Sequence, residues 1–93
     1  MSWWSGTPFF PKLIKMGRLR KTFGMRLREV RLARGLTQEQ LAEKLDVSLN
    51  FLNLIERGQR APSFDTLERM SRVLRIQVAD LFLTTPAGNP SNR

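Results

Sequence analysis

Residues 37–58 read TQEQLAEKLDVSLNFLNLIERG, and this stretch decides the fold. Thr37-Gln38-Glu39-Gln40 is a T-x-x-Q capping box, so a helix starts just after Thr37. Leu41, Ala42 and Leu45 share one face of that helix, which ends at Asp46, a residue that tolerates turn geometry. A second helix is predicted over 48–57, with Ser48 as its cap and Gly58 as its terminator. Leu52 and Ile55 form its inner face, and Val47 joins them from the turn. Ala42 is small enough to let the second helix cross close to the first.

Two short helices joined by so tight a turn have helix-turn-helix spacing. The outward face of the second helix then carries Ser48, Leu49, Asn50, Asn53 and Leu54. Phe51 is expected to pack on its neighbours.

The pattern extends both ways. Upstream, Phe23, Leu27 and Val30 recur at helical spacing, predicting a helix over 22–34 with Thr22 as cap and Gly35 as its left-handed stop. Downstream, Gln59-Arg60-Ala61-Pro62 reads as a loop. A fourth helix opens at Ser63, with Asp65 in the first turn where the dipole favours it. Phe64, Leu67, Met70 and Leu74 are expected to face the core. A short fifth helix over 78–83 contains Val78, Leu81 and Phe82. No stretch alternates with period two for long enough to be a strand. The organisation expected is a basic, aromatic N-terminal arm over 1–21, an all-α domain of five helices over 22–83, and a Pro/Gly/Asn/Ser tail over 84–93.

Ninety-three residues are one domain's worth of chain. A chain of that size buries only about 60% of its unfolded surface, so association with a partner helps it. At 41% hydrophobic and 26% charged residues the composition is globular. There is no cysteine and no histidine. Disulfide scaffolds, zinc fingers, thiol chemistry and the commonest general base are thereby excluded. With no clustered carboxylates either, the chain is not read as an enzyme, and no cofactor or metal is expected.

Charge is the informative quantity. Sixteen Lys and Arg against eight Asp and Glu give +8, which points to a polyanion, nucleic acid before anionic membrane. Five of these positive charges, Lys12, Lys15, Arg18, Arg20 and Lys21, lie in the arm, which has no acidic residue. The N-terminus is apolar first and basic afterwards, the reverse of a signal peptide. No apolar run of about 18 residues exists to span a bilayer. A cytoplasmic, nucleoid-associated location is therefore expected.

The segments RGLTQEQLAEKLDVS and LIERGQRAPSFDTLERMSRVL resemble the Cro/phage-repressor, or XRE-like, helix-turn-helix family. The resemblance covers about residues 22–83. It implies a compact five-helix domain of the lambda-repressor type and operator DNA binding as a homodimer. Small members of the family include phage repressors, antitoxins and controller proteins of restriction–modification systems. By the same resemblance, Gln38 touches a DNA phosphate and braces helix 3. Ser48, Leu49, Asn50 and Leu54 hold base-facing positions, with Asn53 beside them. Arg57 and Gln59 follow the DNA backbone, and Arg31 pairs with Glu56.

Elementary chemistry agrees with those roles. A helix fits the major groove and its first turn reaches base edges. Asn bonds adenine bidentately. Glu56 at a helix C-terminus calls for a cationic partner. Two features depart from the family. Leu49 and Leu54 are apolar where polar readers are common, which shifts weight onto thymine methyls and DNA shape. They also fit a protein-interaction patch. Arg75 stands where Gly or Asn often ends helix 4.

The expected function is a sequence-specific DNA-binding transcription regulator on a palindromic operator, dimerising through Val78, Leu81 and Phe82. Two alternatives stand beside it. One is an antitoxin-type protein whose arm, with Trp3, Trp4, Phe9 and Phe10, engages a protein partner. The other is a membrane-surface module, which Pro8 and Pro11 disfavour by interrupting any helix there.

Overall fold

The computed structural model describes residues 18–82. They form five helices: α1 Arg18–Ala33, α2 Gln38–Leu45, α3 Leu49–Glu56, α4 Phe64–Leu74 and α5 Val78–Leu81. No strand occurs among the described residues. The all-α, five-helix class read from the sequence is the observed one.

Helix α1 starts four residues before the position the sequence suggested. Arg18, Arg20 and Lys21 are helical, and Thr22 lies inside α1 as a half-buried residue rather than capping it. Favourable helix formers, Leu, Arg and Lys, extend the helix through this segment. The other starts carry the predicted caps. Thr37 Oγ1 accepts from Gln40 N at 3.0 Å while Gln40 Oε1 accepts from Thr37 N at 2.9 Å. Ser48 Oγ accepts from Phe51 N and Ser63 Oγ from Thr66 N.

Three helices end in the same reciprocal pair of backbone bonds around a left-handed residue. After α3, Gln59 N donates to Leu54 O and Gly58 N to Ile55 O, with Gly58 at φ 79°. The same pattern closes α1 at Gly35 and α2 at Asp46. Helix α4 turns at Arg75, at φ 57°. A side chain there costs roughly 1–2 kcal/mol, and local bonds offset it. Arg34 Nε donates to Leu74 O at 2.7 Å, and Ser71 Oγ donates to Ile76 O at 2.6 Å.

The core joins Phe23, Leu27 and Val30 of α1 to Leu41, Ala42 and Leu45 of α2, Leu52 and Ile55 of α3, Leu67, Met70 and Leu74 of α4, and Leu81 of α5. Two expectations fail here. Phe64 is 84% exposed: it is the first residue of α4, a turn before Leu67 begins the buried series Leu67, Met70 and Leu74. Leu81 is fully buried and is core, not part of an exposed dimer surface. Of the α5 residues expected at such a surface, Val78 is half-buried. Phe82, following α5, is at the edge of exposure, with its ring 4.9 Å from that of Phe23. Leu83, the arm residues 1–17 and the tail 84–93 lie outside the described residues.

Helix α1 packs on α3 and α5, and α3 also packs on α2. Gly24 permits the first crossing. A Cβ added there would lie 2.7 Å from Glu56 O and closer still to Ile55 O. The backbone of α1 thus abuts the last carbonyls of α3.

Candidate nucleic-acid interface

Helix α3 is held by a chain of buried polar contacts. Arg31 and Glu56 are each only 6% exposed. Arg31 Nε donates to Glu56 Oε2 at 2.6 Å and Arg31 Nη2 donates to Glu56 Oε1 at 3.0 Å, a two-pronged pair. Arg31 Nη1 donates to Leu36 O at 2.9 Å, at the entrance to α2. Gln38 Nε2 donates to Glu56 Oε1 at 3.0 Å, and Gln38 Oε1 accepts from Asn53 Nδ2 at 3.4 Å. One carboxylate therefore ties α1, the first turn of α2 and the end of α3 together. Paired this way, both charges keep hydrogen-bond partners despite their burial.

This network leaves one face of α3 uncovered. Ser48, Leu49 and Asn50 are exposed, in the first turn where a groove-bound helix reaches bases. Asn53 and Leu54, expected on the same face, are half-buried, and Asn53 turns part of its amide toward Gln38. Arg57 and Gln59 are exposed beyond the end of α3. The structure thus brings Gln38, Asn53, Glu56 and Arg31 into one brace. Ser48, Leu49 and Asn50 form a separate exposed group, and Arg57 and Gln59 a third at the far end.

Arg60 and Lys21 escape a motif reading. The Arg60 guanidinium lies 5.8 Å from the centre of the Phe51 ring, a cation–π distance. Lys21 packs on Gly58, whose added Cβ would fall 2.6 Å from Lys21 Cγ. The first turns of α1 therefore lie beside the turn that follows α3. The only signal of this in the sequence is Gly58, a glycine that serves both a left-handed turn and a close approach.

Other arginines are committed inside the fold. Arg26 Nε donates to Asp80 O, Arg34 Nε to Leu74 O and Arg69 Nη1 to Leu45 O. The last two caps meet carbonyls at the ends of α4 and α2, where helix dipoles favour cations. No helix of the described residues is long and apolar enough to cross a membrane.

Comparison with known proteins places this geometry. A family model described as helix-turn-helix matches residues 27–81. The control protein C.BamHI of Bacillus amyloliquefaciens is 38% identical over 72 residues, covering 76% of this chain and 89% of that protein. The immunity repressor protein of Bacillus phage phi105 is 47% identical over 58 residues, covering 62% of this chain but 40% of its own length. The crystal structure of the restriction-modification controller protein C.AhdI from Aeromonas hydrophila superimposes with a TM-score of 0.65. That similarity is at 38% identity and covers 68% of this chain and 96% of that one. The chain belongs to the helix-turn-helix family of transcription regulators.

Proposed function

We propose that the protein binds a palindromic DNA operator as a homodimer, with α3 in the major groove, and regulates transcription without catalysing a reaction. The observation that carries this reading is the exposed first turn of α3, Ser48-Leu49-Asn50, on a helix locked from behind by the Glu56 network. Asn50 reads adenine through paired donor and acceptor. Leu49 and Leu54 meet thymine methyls, and sequence-dependent DNA shape supplies more of the specificity. Ser48 caps α3 and reaches the groove edge.

Phosphates flank the groove. The capping box accounts for the amides of Thr37 and Gln40. Those of Gln38 and Glu39 remain at the positive end of α2 for an anion. Gln38 has one amide hydrogen beyond the one given to Glu56, so it braces α3 and meets a phosphate at once. Asn53, Arg57 and Gln59 line the backbone at the other side. The similarity to the control protein C.BamHI and to the restriction-modification controller protein C.AhdI favours a controller of the latter kind. Action at nucleoid DNA in the cytoplasm accompanies the reading.

The dimer and the operator are tested together. Light scattering of the free and DNA-bound protein should give the mass of two copies. Footprinting should show two half-sites about 34–36 Å apart. A monomer in both states would remove the palindrome from this reading.

A further inference from the structure

An apolar groove of about 160 Å³ opens on the molecule beside the start of α1. Leu19 and Phe23 of α1, Pro62, Phe64 and Leu67 around the start of α4, and Phe82 after α5 line it. Leu19 is 62% and Phe64 84% exposed. Apolar cavities of about 150 Å³ take up benzene, so the groove is of a size for one aromatic ring. Arg20 and Arg60 also line it, with no acidic residue.

We propose that this groove is the docking site of the chain's own residues 2–11. That segment reads SWWSGTPFFP and has four aromatic rings and no charged side chain. Three observations select it over other occupants. Leu19 and Arg20 stand in the first turn of α1, so the chain enters the described domain at the rim of the groove. From Phe10 to Arg18 an extended chain reaches as far as about 26–29 Å, enough to fold back. A tether this short holds its rings at an effective concentration in the mM range. Second, a guanidinium at the edge of an apolar groove favours a ring face by cation–π attraction. Arg60 already holds that geometry over Phe51. Third, a second copy is disfavoured. A two-fold contact sets the same patch against itself, which would bring two copies of Arg20 and Arg60 together without a compensating acid. Phe82, the last described residue, also lines the groove, but the sequence after it, LTTPAGNPSNR, contains no aromatic ring.

The test uses the full chain in solution. Nuclear Overhauser effects are measured from the rings of Trp3, Trp4, Phe9 and Phe10 to the methyl groups of Leu19 and Leu67. A mixed sample of labelled and unlabelled copies separates contacts within a chain from contacts between chains. The expected result is contacts within one chain, lost in Phe64→Asp and retained in Leu49→Asp. Phe64 is too exposed for that change to threaten the fold, and an unchanged melting temperature checks the point. No contact at all, contacts that survive Phe64→Asp, or contacts only between copies would each overturn the proposal. The last would make the groove a self-association face.

Discussion

Replacing Glu56 by Ala removes the acceptor that serves both Arg31 and Gln38. The Arg31 guanidinium would stay buried, keeping only its bond to Leu36 O. Breaking one side of a buried ion pair costs about 3–5 kcal/mol, because a charge is left without its partner. A described domain of 65 residues, Arg18 to Phe82, has roughly 3–10 kcal/mol of stability in total. Glu56→Ala should therefore remove between about a third and all of that stability. Urea titration followed by circular dichroism reads this directly. Glu56→Gln keeps the volume and one carbonyl acceptor, so its loss should be smaller. Arg31→Met with Glu56→Leu removes both charges, and such paired replacement is often neutral or better. The double variant should then be more stable than Glu56→Ala alone. If Glu56→Ala lost less than about 1 kcal/mol, the value typical of exposed pairs, the network would not be what positions α3.

Asn50→Ala should weaken binding to the best operator by about 1–3 kcal/mol and barely change affinity for random DNA. Competition binding on both DNAs checks it, and equal losses would remove Asn50 as a base reader. Gly24→Ala should destabilise by about 1–3 kcal/mol, as overpacking does; an unchanged denaturation midpoint would mean α1 can shift away from α3. Arg75→Gly should change stability by between zero and about 1 kcal/mol in the favourable direction, relieving the left-handed side chain against glycine's greater entropy loss. A clear loss would show that the Arg75 side chain itself supports the turn. Arg57→Ala should lower the slope of log K against log[salt] by about 0.9 with specificity kept; an unchanged slope would place Arg57 away from the phosphates.

The helix-turn-helix unit was legible because its signals are local. The Thr37 box, the Ser48 cap and the Gly58 stop each act within a few residues, and Leu41, Leu45, Leu52 and Ile55 repeat at helical spacing. Errors arose where tertiary contact decides. The helix formers from Arg18 to Lys21 permit α1 to continue back past Thr22, but such propensity is weak beside the cap that Thr22 offers, and Lys21 gains its neighbour Gly58 only from 37 positions away. Phe64 and Leu81 are both large and apolar, and periodicity alone does not say which meets the core. Leu81 does, because α5 folds back against α1 and α4; Phe64 does not, because it begins its helix at the rim. The Arg31–Glu56 pair was available only through resemblance, since the two residues are 25 positions apart. The second partner of Glu56, Gln38, gives that pair its reach into α2.

Charge shows a similar division between what counting reveals and what placement adds. A formal +8 suggests a diffuse attraction for polyanions. Inside the domain, however, Arg31 is spent on Glu56, and Arg26, Arg34 and Arg69 on backbone carbonyls. These cations contribute to the field while their guanidinium groups are engaged by a carboxylate and carbonyls of the fold. Arg57 and Arg60 follow the end of α3 with exposed side chains, and Lys21 packs on the intervening Gly58. In the proposed binding mode these cations would lie toward the DNA backbone. Each phosphate contact contributes about 0.9 to the salt slope, so the slope counts contacts and not formal charge. A domain that uses arginines as helix caps gains fixed geometry from them and gives up salt-dependent affinity. If α3 enters the groove as proposed, such a protein would depend more on the Asn50 face of α3, and on DNA shape, than its isoelectric point implies.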